Sequence, residues 1–419
     1  MTHQLSENPV LSGSPIPLEA FELDDSLLWV MHCAEGPVPK AAAEAVAGLL
    51  PKETQPWKMR WEEDFVALPL QVKGQAARLL GSRLEDITLT TTTTTALATV
   101  AQGFPWQPGD EVIIPLGEFP ANAWPWLALA PRGVKVREVP LWEGHLAGPQ
   151  AWESAPPTAE ARPEERLLAA IGPNTRLLSV SWVRFQDGLT LDLGLLAEGC
   201  RSRGVELVVD GIQGLGTRAL DLSNEQLSAG ISAFAAGGHK GLLAPQGLAL
   251  LWTEESFRNR LAPPGGWLSV EDATEWDRPS TDFDRGWQGD GRRLEGGVPN
   301  LLGCGALEQS LRLLADSGIH RIQAHISALQ GRFLERLESL PAWRSEARRL
   351  GALWMADRLG SILSLHHGQR GPDGLGDLLR DGFSKGIYAS IREGYLRLAL
   401  HGYHRRQDVD RLLLWLAKA

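Results

Sequence analysis

Residues 205 to 247 constrain the fold more tightly than any other stretch of the chain. Val205 to Val209 is an apolar, β-branched run that closes on an acid, Asp210. That is the pattern of a strand buried on both faces of a parallel sheet. After a gap of about thirty residues, the spacing one parallel crossover needs, a second run of small apolar residues, Ile231 to Ala236, leads into Gly237-Gly238-His239-Lys240. The acid and the lysine therefore emerge on the same sheet edge, where open α/β sheets bind their ligands.

This pairing suits pyridoxal phosphate. The cofactor needs a lysine for a Schiff base to its aldehyde, and an acid that keeps its pyridine nitrogen protonated so that the ring acts as an electron sink. Gln213 follows Asp210 closely enough to reach the ring hydroxyl. Taken singly, the acid reads as a turn or cap residue and the lysine as a solvated charge. A second clue lies upstream, where Asp86-Ile-Thr-Leu-Thr90 runs on through threonines to Thr95 and then into an alanine-rich segment. A strand turning into a helix there would offer free N–H groups and hydroxyls to a phosphate.

The motifs Asp210-Gly-Ile-Gln213 and Gly238-His239-Lys240-Gly-Leu-Leu-Ala-Pro-Gln-Gly247 resemble the signature of class V aminotransferase-fold enzymes. This fold-type I pyridoxal phosphate group includes cysteine desulfurases, isopenicillin N epimerase-like proteins and kynureninases. The resemblance implies that Lys240 forms the Schiff base, Asp210 partners the ring nitrogen, Gln213 touches the ring oxygen and His239 reaches the phosphate. It places the phosphate turn at Thr93 and Thr94, and puts Phe119 where desulfurases stack a histidine on the ring. The family's ring-hydroxyl asparagine is missing near Arg184-Phe-Gln186, leaving Gln186 as the substitute. Arg397 matches the arginine that holds the substrate α-carboxylate through a planar fork, with Arg392 second to it. A homodimer with active sites at the interface is implied too, although Val298 stands where the family's cross-subunit threonine would be.

The expected fold is α/β and three-layered. A mostly parallel seven-stranded sheet would form a large cofactor-binding domain over 62–265, and 1–61 with 266–419 would form a smaller α+β domain. Strands are expected at Glu111–Pro115, Val134–Leu141, Arg176–Val183 and Gly247–Thr253, with helices at Lys40–Leu50, Phe65–Leu80, Leu193–Arg203, Leu301–Asp316 and His320–Leu340. Glu143–Pro163 reads as a surface loop, and the polar, tryptophan-bearing run Asp272–Arg293 as a flap over a pocket. Gly211-Ile-Gln-Gly-Leu-Gly216 has its glycines in the wrong order for a dinucleotide site, and no long amphipathic helix follows it.

Composition narrows the function further. A net charge of -10 argues against nucleic acid as a partner. Cys33, Cys200 and Cys304 are too few and too scattered for a disulfide framework or a metal cluster. The polar, proline-bearing opening to Glu22 lacks the form of a signal peptide, and no uncharged run approaches a membrane span. A cytoplasmic enzyme with a small-molecule amino acid substrate is the expectation.

Transamination is the first expectation for the chemistry. A C–S or C–C lyase or an epimerase of the same fold is the alternative, and a non-catalytic scaffold or sensor is the third. Desulfurase activity is disfavoured because no cysteine follows Cys304, which sits in an expected helix. Kynureninase is disfavoured because Trp267 has no neighbouring histidine.

Overall fold

The computed structural model describes residues 13–418. The polar opening as far as residue 12 lies outside the described residues. A two-residue strand β1 (Leu28–Trp29) precedes the main sheet, which is built from β2 (Ile87–Thr90), β3 (Glu111–Pro115), β4 (Lys135–Val139), β5 (Thr175–Ser181), β6 (Glu206–Asp210), β7 (Ala233–Gly237) and β8 (Ala249–Thr253). Its spatial order is β2-β8-β7-β6-β5-β3-β4. All neighbours from β7 to β4 are parallel, and β8 runs antiparallel to both β7 and β2.

Alternating residues of each strand feed two separate cores, as a sheet covered on both faces requires. Val112, Ile114, Leu177, Val208, Ala235 and Leu251 pack with Leu97, Val100 and Trp126 on one face. Ile113, Leu178, Val180, Leu207, Val209 and Phe234 pack with Leu196 and Leu307 on the other. The chain reverses its direction of winding between β3 and β5, and ligands bind at such switch points beyond the carboxyl ends of the strands.

Beyond the main sheet, β9 (Ile362–His366), β11 (Ser390–Arg392) and β12 (Tyr395–Ala399) form an antiparallel sheet in the order β11-β12-β9. A further short strand, β10 (Ile387–Tyr388), pairs in parallel with β1, so Leu28 lies opposite Ile387. The helices Lys40–Thr54 and Leu68–Leu80 both pack on the helix Leu301–Ser317.

One expectation changes, and two gain detail. The helix expected from Phe65 starts earlier, as a π-helical stretch Trp61–Ala67 that passes into the helix Leu68–Leu80. The segment 143–163 is tied down rather than a free loop, because the Trp152 carbonyl accepts a bond from His367 and the Pro157 carbonyl one from Arg349. The segment 272–293 lines a pocket, with Trp276 packed edge-on against Trp61 at 5.1 Å and Trp267, just before the segment, beside the same ring at 6.2 Å. The pocket, of about 410 Å³, is shared with Trp61, Phe65 and Leu70. Among the described residues no helix is long and apolar enough to cross a membrane.

Candidate active site

The carboxyl ends of β3, β5, β6 and β7 converge on one cleft of about 410 Å³. Asp210 is the last residue of β6, paired in register with Ser181 on one side and Ala235 on the other. Its Oδ1 accepts the Ile212 N–H at 3.0 Å. Burial pushes its carboxyl up to about 7, against the pull of that N–H; the Glu118 carboxylate adds to the rise and Lys240 opposes it. Lys240 lies just beyond β7 and is only 8% exposed. Burial lowers its ammonium, Asp210 counteracts this, and the Arg397 charge lowers it further. Both groups are thus driven towards their neutral forms, the usual outcome for charges held away from water.

Phe119 forms the opposite wall. Its ring centroid is 5.3 Å from Lys240 Nζ and 5.0 Å, edge to face, from the Phe185 ring. It is 36% exposed, so it is a surface of the cleft and not a core aromatic. Glu118 fixes the turn that carries it: its carboxylate accepts bonds from the Phe119 N–H, the Asn122 amide, and the Ser181 N–H and hydroxyl.

The threonine run divides as the strand-to-helix reading requires. Thr92 caps the helix Thr93–Gly103, accepting the Thr95 N–H at 3.0 Å, and leaves the N–H groups of Thr93 and Thr94 without an intrahelical acceptor. The Thr93 hydroxyl is buried in the cleft wall with no hydrogen-bond partner. Gln213 donates its amide N–H to the Cys33 carbonyl at 2.9 Å, and its Oε1 is likewise buried and unpartnered. Gly237 leaves room here, since a Cβ on it would stand 3.0 Å from Thr93 Oγ1.

Arg397 enters from β12. Its Nε donates to Ser390 Oγ at 3.0 Å and its Nη1 to the Phe185 carbonyl at 2.8 Å. Burial lowers its guanidinium. Arg392 reaches the same cleft from β11, and His239, half-buried, completes the set of expected residues. Gln186 does not join them. It lies outside the cleft lining, and its amide N–H is spent on the Gly117 carbonyl.

Phe185 also lines the cleft, as do Cys33 and Glu35 of the entry segment 33–39, which the family resemblance puts beside the substrate pocket. Cys33 and Glu35 come from the segment after β1, held against the lysine loop by a 2.7 Å bond from the Gly36 N–H to the His239 carbonyl.

A mostly parallel seven-stranded sheet, with a buried lysine beyond one strand and a buried acid ending the next, defines a fold-type I pyridoxal phosphate enzyme. Residues 61–381 match the family model "Aminotransferase class-V", and the chain belongs to that pyridoxal phosphate-dependent family. It is 28% identical to a probable cysteine desulfurase of Methanothermobacter thermautotrophicus, over 61% of this chain and 58% of that protein. It is 31% identical to isopenicillin N epimerase of Streptomyces clavuligerus, over 58% of this chain and 57% of that one. The chain thus spans less than two thirds of the length of either relative. Among solved structures, the complex of the cystine C–S lyase C-DES with its reaction product cysteine persulfide matches with a TM-score of 0.76 at 21% identity, covering 94% of this chain and 97% of that one. A relative named an uncharacterized aminotransferase, from Bacillus subtilis, is 24% identical over 89% of this chain and 88% of that protein.

Proposed function

We propose that the chain is a pyridoxal phosphate-dependent lyase that breaks the Cβ–S bond of an α-amino acid, an elimination in place of the transamination expected first. The cleft's own chemistry supports the cofactor. The unpartnered Thr93 hydroxyl and the free N–H groups of the helix start suit a phosphate. The buried, proton-seeking Asp210 suits a ring nitrogen that carries a proton, and the unpartnered Gln213 oxygen suits a ring hydroxyl. Phe119 supplies a flat apolar face for stacking, and His239 lines the same cleft as Thr93 and Thr94. When bound, pyridoxal phosphate supplies an electron sink conjugated to the substrate α-carbon.

The chain's residues do the rest. Arg397, held by Ser390 and the Phe185 carbonyl, orients the α-carboxylate with the Nη2 edge of its fork. The Lys240 amine, its ammonium disfavoured by burial, takes the proton from the α-carbon. The Cα–H and Cβ–S bonds break, a Cα=Cβ bond forms, and the sulfur leaves with the electron pair and is protonated. Water then converts the enamine product to a keto acid and ammonium.

The observation that carries this reading over desulfuration is the state of the thiols. Cys33, Cys200 and Cys304 are all buried, and burial pushes the Cys200 and Cys304 thiols up to about 12. Cys200 and Cys304 lie outside the cleft, and Cys33 lines it but is only 2% exposed with its thiol 3.9 Å from the Ser390 hydroxyl, so no exposed cysteine among the described residues stands ready to carry the substrate's sulfur away. The test is product analysis on the cofactor-loaded protein. Keto acid and ammonium should appear in equal amounts from an S-substituted cysteine without any added keto-acid acceptor. Turnover that requires such an acceptor would return the assignment to transamination, and alanine formed without ammonium would mark desulfuration instead. Lys240→Ala should abolish the visible absorbance of the lysine-linked cofactor.

A further inference from the structure

The loop that carries Lys240 is a strained turn held from outside the main sheet. Leu243, fully buried, sits at φ 58°, a left-handed conformation that a bulky side chain adopts only where its surroundings impose it. The carbonyls one residue to either side of Lys240 are gripped by two donors from opposite ends of the chain. The Gly36 N–H reaches the His239 carbonyl at 2.7 Å, and the His401 ring reaches the Gly241 carbonyl at 3.0 Å.

The backbone settles which nitrogen of His401 carries the proton. Its Nδ1 accepts the Gly402 N–H at 2.8 Å, and burial holds the ring down at about 3, so the imidazole is neutral and Nε2 is the donor. The Tyr403 ring stacks on it at 5.4 Å and His32 stands edge-on at 5.1 Å, which fixes its direction.

The same corner ties down the entry segment. His404 Nδ1 accepts the His401 N–H at 2.8 Å, leaving its Nε2 to donate to the Trp29 carbonyl at 3.0 Å. The Ala399 N–H donates to the Val30 carbonyl at 2.9 Å. His401 itself does not line the cleft, and it follows directly on β12, the strand that carries Arg397. One imidazole and one glycine thus join the arginine's strand to the lysine.

We propose that His401 is a positioning residue: through the Gly241 carbonyl it sets the Lys240 amine against a substrate whose carboxylate Arg397 holds. Loss of that bond would free the strained loop to move, while Arg397 stays where Ser390 and the Phe185 carbonyl fix it. This rests on Lys240 as the cofactor's lysine and not on the choice between elimination and transamination.

The test compares two substitutions of the one ring. His401→Gln keeps an amide N–H at the reach of Nε2, whereas His401→Asn keeps an acceptor for the Gly402 N–H but falls short of Gly241. Two readouts are taken. In the cofactor-free protein, the rate at which added pyridoxal phosphate restores the visible absorbance reports the placement of the amine without any substrate. In the loaded protein, kcat and KM for exchange of the α-hydrogen of S-methyl-L-cysteine in D2O report the proton transfer, a step common to elimination and transamination. His401→Asn should slow both rates about ten-fold with KM within about two-fold of wild type, since misplaced reacting atoms cost rate while the clamp still binds. His401→Gln should recover most of the loss. Two variants that behave alike would overturn the proposal, and so would failure of His401→Asn to fold, which would make the bond part of the framework only. Wild type that takes up the cofactor at Lys240 but exchanges no α-hydrogen would sink the amine as the base, and the uptake rates would still decide the positioning.

Discussion

Replacing Asp210 with asparagine should stabilise the cofactor-free protein at neutral and alkaline pH while weakening its hold on the cofactor. The carboxyl is 2% exposed, has one N–H donor on it, and is pushed from 3.8 up to about 7 chiefly by burial. A folded-state pKa above the unfolded value means that stability is fullest below pH 3.8 and is lost as pH rises through about 7. The whole loss amounts to about 4 kcal/mol, at about 1.4 kcal/mol for each tenfold change in proton affinity. About 2.5 kcal/mol of it falls between pH 5 and pH 8. Urea unfolding of cofactor-free wild type and Asp210→Asn across that range isolates this group, because the other titrations cancel in the difference. The gap between the two should widen with pH by that amount in favour of the variant. In the loaded wild type the loss should shrink, since a protonated ring nitrogen would supply the missing countercharge. Parallel curves for the cofactor-free pair would refute the reasoning and, with it, the buried acid as the partner of the ring.

Three further outcomes are expected. Thr93→Val should leave unfolding of the cofactor-free protein within about 1 kcal/mol of wild type, because the lost hydroxyl has no protein partner, yet weaken cofactor binding about ten-fold in an absorbance titration. Arg397→Gln should lower kcat/KM by about a hundred-fold through loss of the charge-assisted fork, with the visible absorbance of the bound cofactor retained. Light scattering should give twice the 45.7 kDa of one chain, since the exposed Trp267 and Trp276 gather on Trp61 in a patch suited to a second copy, and Trp276→Asp should shift the mass towards the monomer.

The parts of the site that could be read directly were those in which strand chemistry and site chemistry coincide. Asp210 and Lys240 each follow a short apolar run, so the pattern that buries the strand also locates its end. The threonine turn was legible for the same reason, through its passage from β-branched to alanine-rich residues. Phe185 was not, because it sits on a segment without periodicity, and Cys33 and Glu35 were placed only by the family resemblance of the segment 33–39 and not by their own pattern. The anchoring of the segment 143–163 was not legible, because its anchors are main-chain carbonyls at Trp152 and Pro157 reached by side chains from beyond residue 340, and a carbonyl leaves no trace in composition. The π-helical turn at 61–67 has the same residue spacing, on paper, as an ordinary helical one.

Gly36 touches the lysine loop so closely that a Cβ there would lie 2.3 Å from the Lys240 carbonyl oxygen, and β1 pairs with the distant β10. A ribosome releases these contacts in a fixed sequence. The amine at 240 can leave the tunnel and fold with its strand while the hairpin bearing Arg397 is still unmade, so a nascent chain would possess the nucleophile before the carboxylate clamp. Competence would then arrive only after the last hundred or so residues fold back onto the first forty, which keeps an unfinished polypeptide from turning over free amino acids.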